Sequence, residues 1–438
     1  MTRGFAVATS GGRDSTALLH AALAAAAALD LRVHALHVHH GLQADAERWL
    51  DHVRRQCTRW ASAGAPVHFH AHRLREAPAP GASVEAWARR ARYSALAAMA
   101  RDCGVDLVLL AHHRRDQAET FLLQALRGGG PAGLAAMPRE VRRDGITWVR
   151  PWLDLPRTAI EAYVRLHRLR FVDDPSNIES RFSRSRLRGH VWPALELAFP
   201  EAEGALATAA RHAHDALLVI EEVAAADLAA VEDGESLRVP AWQALSHARR
   251  QAALRLWLRE RGGRGASDSL VRRLMDELPG GGPACWPLHA GAELRRYRGR
   301  LDVQPAAAGQ GTPLPATTLH VSGPGVYDLP EWGGALCVTV AAEGGIALEM
   351  LHRCELRPRT GSEQFQAAGN RPARALKKQF QAAGIAPWQR CAPLLYCDGR
   401  LAFVPSLGID ASALARPGQP RVHLEWLCAD PVLLHRNR

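Results

Sequence analysis

Lysine is nearly absent from this chain. Only two of its 55 basic residues, Lys377 and Lys378, are lysine, and the other 53 are arginine. The sequence also lacks an apolar run of about 18 residues, which argues against a membrane-spanning helix. Its eight cysteines include no Cys-x-x-Cys pair, which argues against a zinc ribbon or a redox dithiol. No secretory signal precedes the first predicted strand, so we expect reduced thiols and a cytoplasmic location.

Composition limits the classes of function. With 438 residues the chain is long enough for two or three domains. Its 47% apolar and 23% charged residues are typical of a soluble globular protein. A net charge of +11 and a pI of about 9.8 favour an anionic partner. We therefore expect that partner to be a nucleic acid rather than a membrane surface.

A glycine-containing turn near the N-terminus is the first candidate site. Residues 5–9 form a short apolar run with β-propensity, a helical pattern starts at Ser15, and SGGRDS lies between them. Glycine permits a tight turn and close approach of a ligand, and the backbone amides before a helix form an anion site. Because GxxxxGK[ST] is absent, this is not a Walker loop. A plain glycine turn is the alternative.

The full SGGRDS string resembles the loop of the PP-loop ATP pyrophosphatases, which adenylate a substrate and release pyrophosphate. The resemblance implies that ATP is bound by Ser10, Gly11, Gly12, Arg13, Asp14 and Ser15. Asp14 is an acid in a site built for anions, which makes sense if its carboxylate holds Mg²⁺.

The first 170 residues alternate between predicted strands and helices. Strands are predicted at 31–38, 67–70 and 106–111, and helices at 44–61, 84–103, 115–127 and 157–168. This alternation predicts a doubly wound parallel α/β sheet of Rossmann-like type. Ligands of such sheets bind at the carboxyl ends of the strands, where SGGRDS falls.

A second polar group follows the predicted strand 106–111. His113, Asp116 and Thr120 share one helix face, and Glu119 lies one turn beyond Asp116. Carboxylates in a first helical turn also suit the helix dipole, so an ordinary charged helix start is the alternative. At this edge of a nucleotide-binding sheet we favour a catalytic role for His113, Asp116 and Glu119, together with Asp14.

The sequence predicts that the whole chain divides into four regions. We expect a catalytic α/β domain at 1–195, a small helical domain with a short hairpin at 196–305, a linker with a short β unit at 306–345, and a small α+β domain at 346–438. Helices are predicted near 201–230, 241–261, 267–278 and 373–383.

Several motifs together resemble the tRNA(Ile)-lysidine synthase family. These are SGGRDS, HVHHGL, AHHRRDQAET, GGGPAGL, DDPSN, RFSRSRLR, and, near the C-terminus, RTGSEQF and RALKKQFQAAGIAPWQR. One departure is Ser185, where the family usually has asparagine between two arginines. The resemblance covers most of the chain and is strongest at 1–190 and 355–405.

The resemblance implies a specific reaction. ATP would adenylate the C2 carbonyl oxygen of the wobble cytidine in an isoleucine tRNA with a CAU anticodon. The ε-amine of free L-lysine would then attack C2 and expel AMP. Asp174 and Asn177 would border the lysine site. The sequence does not decide whether the protein forms a homodimer. With tRNA as the substrate, the middle domain is expected to bind substrate or tRNA, and the last domain to bind tRNA. The residues expected to contact tRNA are Arg127, Arg184, Arg186, Arg188, Lys377 and Lys378.

Two other functions stay open at this point. A tRNA thiolase of the same superfamily would need a reactive cysteine or a cluster-binding Cys-x-x-Cys pair, and neither motif loop contains a cysteine. A non-catalytic RNA-binding protein with a decayed nucleotide fold is the second alternative, and the intact SGGRDS loop argues against it.

Overall fold

A computed structural model describes residues 4–39, 41, 45–74, 84–172, 183–263, 265–306, 314–390 and 392–428. The chain divides into two compact units, Met1–Glu222 and Val223–Arg438. Within the described ranges, no helix has both the length and the apolar character that crossing a bilayer requires.

The first unit contains one mixed sheet and the helices that cover it. Its strands are β1 (Gly4–Ala8), β2 (Arg32–His39), β3 (Val67–Arg73), β4 (Leu107–Leu109), β5 (Glu140–Arg143) and β6 (Ile146–Val149). Its helices are α1 (Arg13–Ala28), α2 (Ala46–Ser62), α3 (Val84–Asp102), α4 (Arg114–Ala125), α5 (Pro131–Leu134), α6 (Arg157–Leu166), α7 (Ser183–Arg186) and α8 (Trp192–Ala198), followed by the start of α9 (Ala202–Val231). A π-helical turn, Leu187–Val191, joins α7 to α8.

The strand order of this sheet is β3-β2-β1-β4-β6-β5. All neighbours are parallel except β5, which pairs antiparallel with β6. The predicted α/β fold with a parallel sheet is therefore confirmed. The order reverses between β1 and β4, and in such sheets the crevice at the reversal point receives the ligand.

Both faces of the sheet are buried, which explains the apolar runs in its strands. On β1, Ala6 packs with Leu36 and Val108 in the core on one face. Its neighbour Val7 packs with Val33 in the core that α1 and α2 contribute to on the other face. Alternate residues of a strand point to opposite faces, so β1 contributes to two cores at once.

The strands β5 and β6 were not among the predicted elements. All four residues of β5 are exposed, and the sequence Glu-Val-Arg-Arg has little of the β-propensity that signals a strand. The neighbouring β6 buries Ile146 and Trp148. An exposed edge strand is defined by its pairing partner, which the local sequence does not reveal.

The second unit is rich in antiparallel sheet. Its strands are β7 (Glu232–Asp233), β8 (Ser236–Arg238), β9 (Ala284–His289), β10 (Ala292–Tyr297), β11 (Arg300–Pro305), β12 (Thr317–Leu319), β13 (Gly325–Leu329), β14 (Gly334–Val340), β15 (Ile346–Ala347), β16 (Cys354–Arg357), β17 (Gln364–Phe365), β18 (Arg374–Ala375), β19 (Leu394–Cys397), β20 (Arg400–Val404), β21 (Gly408–Ile409) and β22 (Arg421–Cys428). Its further helices are α10 (Val239–Gln243), α11 (His247–Gly262), α12 (Asp268–Glu277) and α13 (Leu376–Ala382).

The middle of the chain is helical as predicted, with two differences. The single helix expected at 241–261 is two helices, α10 and α11. Pro240 lies in the first turn of α10, and Ser246 occupies the N-cap position of α11 in an extended conformation, which separates the two. The expected short hairpin is part of a five-stranded sheet, β7-β8-β11-β10-β9. Helices and sheet share one core around Trp242, Trp257 and Trp286.

The strands that follow residue 314 pair across long sequence distances. One sheet has the order β12-β16-β19-β20-β21 and another has β13-β14-β22-β15. Strands before and after residue 345 therefore hydrogen-bond to each other, as in the pairing of Leu336 with Trp426.

Two residues of β14, one buried and one exposed, allow a test of the packing around these strands. Leu336 is fully buried, whereas Val340 is 77% exposed. We predict that Leu336→Ala lowers the free energy of unfolding by about 2–5 kcal/mol, because it leaves a cavity. Val340→Ala should cost less than about 0.5 kcal/mol. Urea unfolding followed by circular dichroism measures both, and equal losses would contradict the packing described here.

Candidate active site at the carboxyl edge of the parallel sheet

The Ser10–Ser15 loop connects β1 to α1 and is fixed by its own hydroxyl groups. The Ser15 hydroxyl donates to the carbonyl oxygen of Gly12 (3.0 Å) and accepts from the amide of Ser10 (3.2 Å). Gly11 has φ +86°, and a Cβ atom there would lie 2.9 Å from Cγ2 of Val53. Gly12 occupies the N-cap position without a side chain over the first turn. The amides of that turn can therefore face a bound anion.

Asp14 belongs to the part of this loop that forms the first turn of α1. Its Oδ1 accepts from Nε of Arg13 at 3.0 Å, and Nη1 of Arg13 also donates to Oε1 of Glu161 at 2.7 Å. Its Oδ2 lies 3.6 Å from Nε2 of His113. Burial opposes ionisation, but the adjacent His113 and Arg13 outweigh it and lower the pKa of Asp14 to about 2. Asp14 is thus a carboxylate at neutral pH, as a magnesium ligand must be.

The second constellation begins where β4 ends. His113 is the N-cap residue of α4, and its backbone amide donates to Oδ2 of Asp116 at 3.1 Å. Nε2 of the His113 ring also lies 3.6 Å from Oδ2 of Asp116. Burial favours the neutral form of Asp116, yet His113 and Arg184 hold its pKa below the usual value. His113 therefore lies between two carboxylates, those of Asp14 and Asp116.

Arg184 and Arg188 bridge the carboxylates of α4. Nε of Arg184 and Nε of Arg188 each donate to one oxygen of Glu119 at 2.8 Å. An Nη2 of each arginine donates to Oδ1 of Asp116 at 3.0 Å. The Glu119 side chain is fully buried, and although burial alone would lower the pKa of Arg188, Glu119 raises it. We call Asp116, Glu119, Arg184 and Arg188 the four-residue ion-pair cluster.

The remaining predicted site residues lie elsewhere. Arg127 is exposed just after α4, and Arg186 is exposed with Nη2 donating to Oγ of Ser183 (3.3 Å). Lys377 and Lys378 are exposed on α13 in the second unit. The predicted lysine-site residues, Asp174 and Asn177, lie outside the described residues. Of the arginines expected to contact tRNA, Arg184 and Arg188 donate hydrogen bonds to the carboxylates of α4, and their contact with tRNA stays a prediction.

His112 was not singled out from the sequence. Burial lowers the pKa of this histidine to about 3; Asp116 opposes that shift, and Arg150 and Arg184 add to it. Its Nδ1 is buried and has no hydrogen-bond partner among the described residues. Only its position before His113, in the His-His dipeptide, could have pointed to it, and 21 histidines in the chain make such a signal weak.

His112 should make the protein sensitive to acid. The folded ring resists protonation until about pH 3, whereas an unfolded histidine takes up a proton near pH 6.5. Because the unfolded state binds this proton and the folded state does not, the free energy of unfolding falls as the pH drops from 6.5 towards 3. The loss is at most about 1.4 kcal/mol per pH unit. In His112→Gln, the slope of the free energy of unfolding against pH should be smaller by the contribution of one proton.

Urea unfolding at a series of pH values from about 3.5 to about 7, which covers most of the interval between the two pKa values, measures the slope. His212→Gln, at an exposed position of α9, is the matched control. An identical slope in wild type and His112→Gln would show that the ring is not buried in its neutral form.

Models of three known domain families match the chain. A PP-loop domain matches residues 1–195, a TilS substrate binding domain matches 237–301, and a TilS substrate C-terminal domain matches 354–426. The first match includes both turns that carry the candidate active site.

Curated relatives align with almost the whole chain. The tRNA(Ile)-lysidine synthase of Ralstonia nicotianae is 42% identical over 97% of this chain and 92% of its own length. The chain belongs to the tRNA(Ile)-lysidine synthase family. Enzymes of the same name from Burkholderia mallei and Alkalilimnicola ehrlichii are 39% and 36% identical, over 96% and 95% of this chain and 92% of each relative. The family predicted from the sequence motifs is thereby confirmed.

Among solved structures, the U34-tRNA thiolase NcsA from Methanococcus maripaludis is similar with a TM-score of 0.42 and 13% identity, covering 49% of this chain and 72% of that one. We draw no functional argument from this likeness.

Proposed function

We propose that this chain is an ATP-dependent ligase that joins free L-lysine to C2 of the wobble cytidine of an isoleucine tRNA with a CAU anticodon. The cytidine C2 oxygen attacks the α-phosphorus of ATP and pyrophosphate leaves; the lysine ε-amine then attacks C2, and AMP leaves. The observation that carries the proposal is the meeting of Asp14 and His113 beside an open helix N-terminus, in a member of this family.

The phosphates of ATP would lie on the Ser10–Ser15 loop. The first-turn amides of α1 are available there, and the Ser10 and Ser15 hydroxyls, 3.1 Å apart, lie at the same place. A side chain at Gly12 would come within 3.3 Å of Oγ of Ser10, so glycine keeps this surface open. The cradle fits a polyphosphate because its donors are backbone groups that carry no competing negative charge.

Asp14 would hold Mg²⁺. Its carboxylate is ionised and its side chain is 31% exposed, whereas the carboxylates of Asp116 and Glu119 are occupied by arginines. Oxygen ligands of this kind suit Mg²⁺. When bound, the ion would neutralise charge that develops on the leaving pyrophosphate.

His113 would move the proton of the attacking amine. Its Nε2 lies 3.6 Å from Oδ2 of Asp14 and from Oδ2 of Asp116, so the ring is oriented between two acceptors. Its Nδ1 is buried without a partner in the described part of the chain. The two carboxylates would stabilise the imidazolium cation that forms when the ring takes up the proton of the amine.

Asp116 and Glu119 would act as positioning residues. Both Glu119 oxygens and Oδ1 of Asp116 accept from Arg184 or Arg188, which leaves Glu119 no free oxygen for a substrate amine. Oδ2 of Asp116 holds the backbone of His113. The cluster thus fixes the start of α4, and with it the His113 ring, relative to Asp14.

The alternatives are less well supported. The curated relatives are named as tRNA(Ile)-lysidine synthases, which does not favour a thiolase. A non-catalytic RNA-binding protein would not need an ionised Asp14 beside His113. We place the reaction in the cytoplasm, with tRNA and free L-lysine as partners, and a homodimer remains part of the proposal. Asp174 and Asn177 remain proposed lysine ligands.

The test is transfer of labelled lysine. Full-length protein is incubated with ATP, Mg²⁺, radiolabelled L-lysine and an isoleucine tRNA transcript with a CAU anticodon, and label in tRNA and released pyrophosphate are counted. We predict ATP-dependent labelling that Asp14→Asn lowers at least about 100-fold, because the charge that holds the metal is lost. The fold should be retained, since the change removes no buried apolar surface.

Asp30→Asn is the matched control. Asp30 is exposed at the other end of α1 and has φ +52°, which asparagine also adopts readily. This variant should label tRNA at the wild-type rate. Pyrophosphate release at the wild-type rate by Asp14→Asn would show that Asp14 does not hold the metal. No labelling of tRNA by the wild type would refute the proposed reaction itself.

We also propose that α13 binds the body of the tRNA. Lys377 and Lys378 are neighbours on this helix and both are exposed, although arginine fills the other 53 basic positions of the chain. An ammonium group is a compact point charge with three rotating donors, which suits a phosphate in a narrow space better than a planar guanidinium does. Adjacent helical residues point about 100° apart, so one of the two contacts a given phosphate.

Salt-dependent tRNA binding tests this helix. Lys377→Ala or Lys378→Ala should weaken binding and lower the slope of log K against log salt by about one phosphate contact. Lysine-to-arginine replacement at the contacting position should be poorly tolerated, and turnover at saturating tRNA should change little. Arg101→Ala, at an exposed position of α3, is the control for loss of one positive charge. Wild-type binding by all four lysine variants at every salt concentration would exclude α13 as an RNA contact.

A further inference from the structure

Three metal-binding side chains meet on one face of the parallel sheet, apart from the candidate active site. They are His34 on β2, His70 on β3 and Cys103, which directly follows α3. One ligand atom from each lies within 4.8 Å of the other two, and all three residues are half-buried. We propose that this His34–His70–Cys103 cluster binds a divalent transition-metal ion of the zinc class.

The fold brings the three residues together from distant parts of the sequence. β2 and β3 are parallel, and His34 lies opposite His68 while Leu36 lies opposite His70. Residues two apart share a face, so His34 and His70 are diagonal neighbours on the same side of the sheet. Leu36 belongs to the core that α3 covers, and Cys103 packs against that core. The Cys103 thiol therefore lies on the same face of the sheet as the His34 and His70 rings.

The distance between the two ring nitrogens is close to what a tetrahedral ion requires. Nδ1 of His34 and Nε2 of His70 are 3.0 Å apart, joined by a hydrogen bond. With Zn–N bonds of about 2.0–2.1 Å and a Zn–S bond of about 2.3 Å, a tetrahedral ion would hold its nitrogen ligands about 3.3 Å apart and each nitrogen about 3.5 Å from sulfur. All three ligand atoms already lie within 4.8 Å of one another, so ion binding would require the side chains, and not the strands, to adjust.

The ligand set also indicates which ion would bind. Two imidazoles and a thiolate are borderline to soft donors, which favour zinc and its neighbours over Mg²⁺ or Ca²⁺. Three protein ligands leave the fourth position to water. The exposed His68 ring stacks beside His34 with centroids 5.6 Å apart but lies outside the ligand set, so it offers a matched control.

The cluster lies towards the end of the sheet opposite to the reaction. His34 is the third residue of β2, and Cys103 precedes β4, whereas the Ser10–Ser15 loop and His113 follow the ends of β1 and β4. A bound ion would tie the edge strand β3 to β2 and to the end of α3. Its role is thus to stabilise the first unit, and it takes no part in lysine transfer.

Metal titration of the full-length, tag-free protein tests the proposal. After treatment with a chelator, the protein is titrated with Zn²⁺ against a chromophoric competitor, and with Co²⁺ to record its absorption spectrum. We expect one equivalent to bind. His34→Gln, His70→Gln or Cys103→Ser should each weaken binding at least about 100-fold, since even changes beyond the direct ligands cost 10–100-fold. His68→Gln should bind as the wild type does.

Two further readouts separate a metal site from a general loss of structure. The Co²⁺ complex of the wild type should show a thiolate charge-transfer band that Cys103→Ser loses, and Zn²⁺ should raise the thermal midpoint of the wild type and of His68→Gln only. Lysine transfer by folded His34→Gln should match the wild type. If the wild type binds no more Zn²⁺ than the His34→Gln/His70→Gln double variant, or if its Co²⁺ complex lacks the thiolate band, the proposal is wrong and the two rings share only a hydrogen bond.

Discussion

The candidate active site depends on the neutralisation of two buried carboxylates. Glu119 is fully buried and Asp116 is nearly so, and an uncompensated carboxylate in such surroundings would cost several kcal/mol. Arg184 and Arg188 remove that cost by bridging both residues with charge-assisted hydrogen bonds. Because Asp116 in turn holds the backbone of His113, the same contacts set where the His113 ring lies relative to Asp14.

The ion-pair cluster also changes how the arginine-rich stretch is understood. A run such as RFSRSRLR in a basic protein suggests phosphate contacts, yet two of its arginines point inward to acids of α4. The π-helical turn that contains Arg188 lies at this contact, and such turns are frequent at functional sites. Among the described arginines of this stretch, Arg186 is exposed and can face an RNA backbone.

The two ends of the parallel sheet carry different chemistry. At the carboxyl end, hard oxygen donors and helix amides gather around the Ser10–Ser15 loop and suit phosphate and Mg²⁺. Towards the amino end, His34, His70 and Cys103 present softer donors. The sheet separates them because helices run back along the strands, so that the end of α3 and the start of α4 lie at opposite edges.

Local sequence determined the parts of this protein whose signals are short in range. The strand–SGGRDS–helix turn, the alternation of strands and helices, the family and the pairing of His113 with Asp116 could all be predicted from residues that lie close together in the chain. Only the tertiary structure showed that β5 is a strand, that Arg184 and Arg188 contact Glu119 across more than 60 residues, and that His34 and His70 meet Cys103. Such contacts depend on strand pairing and helix packing between distant segments, and no local pattern of residues records which segments will meet.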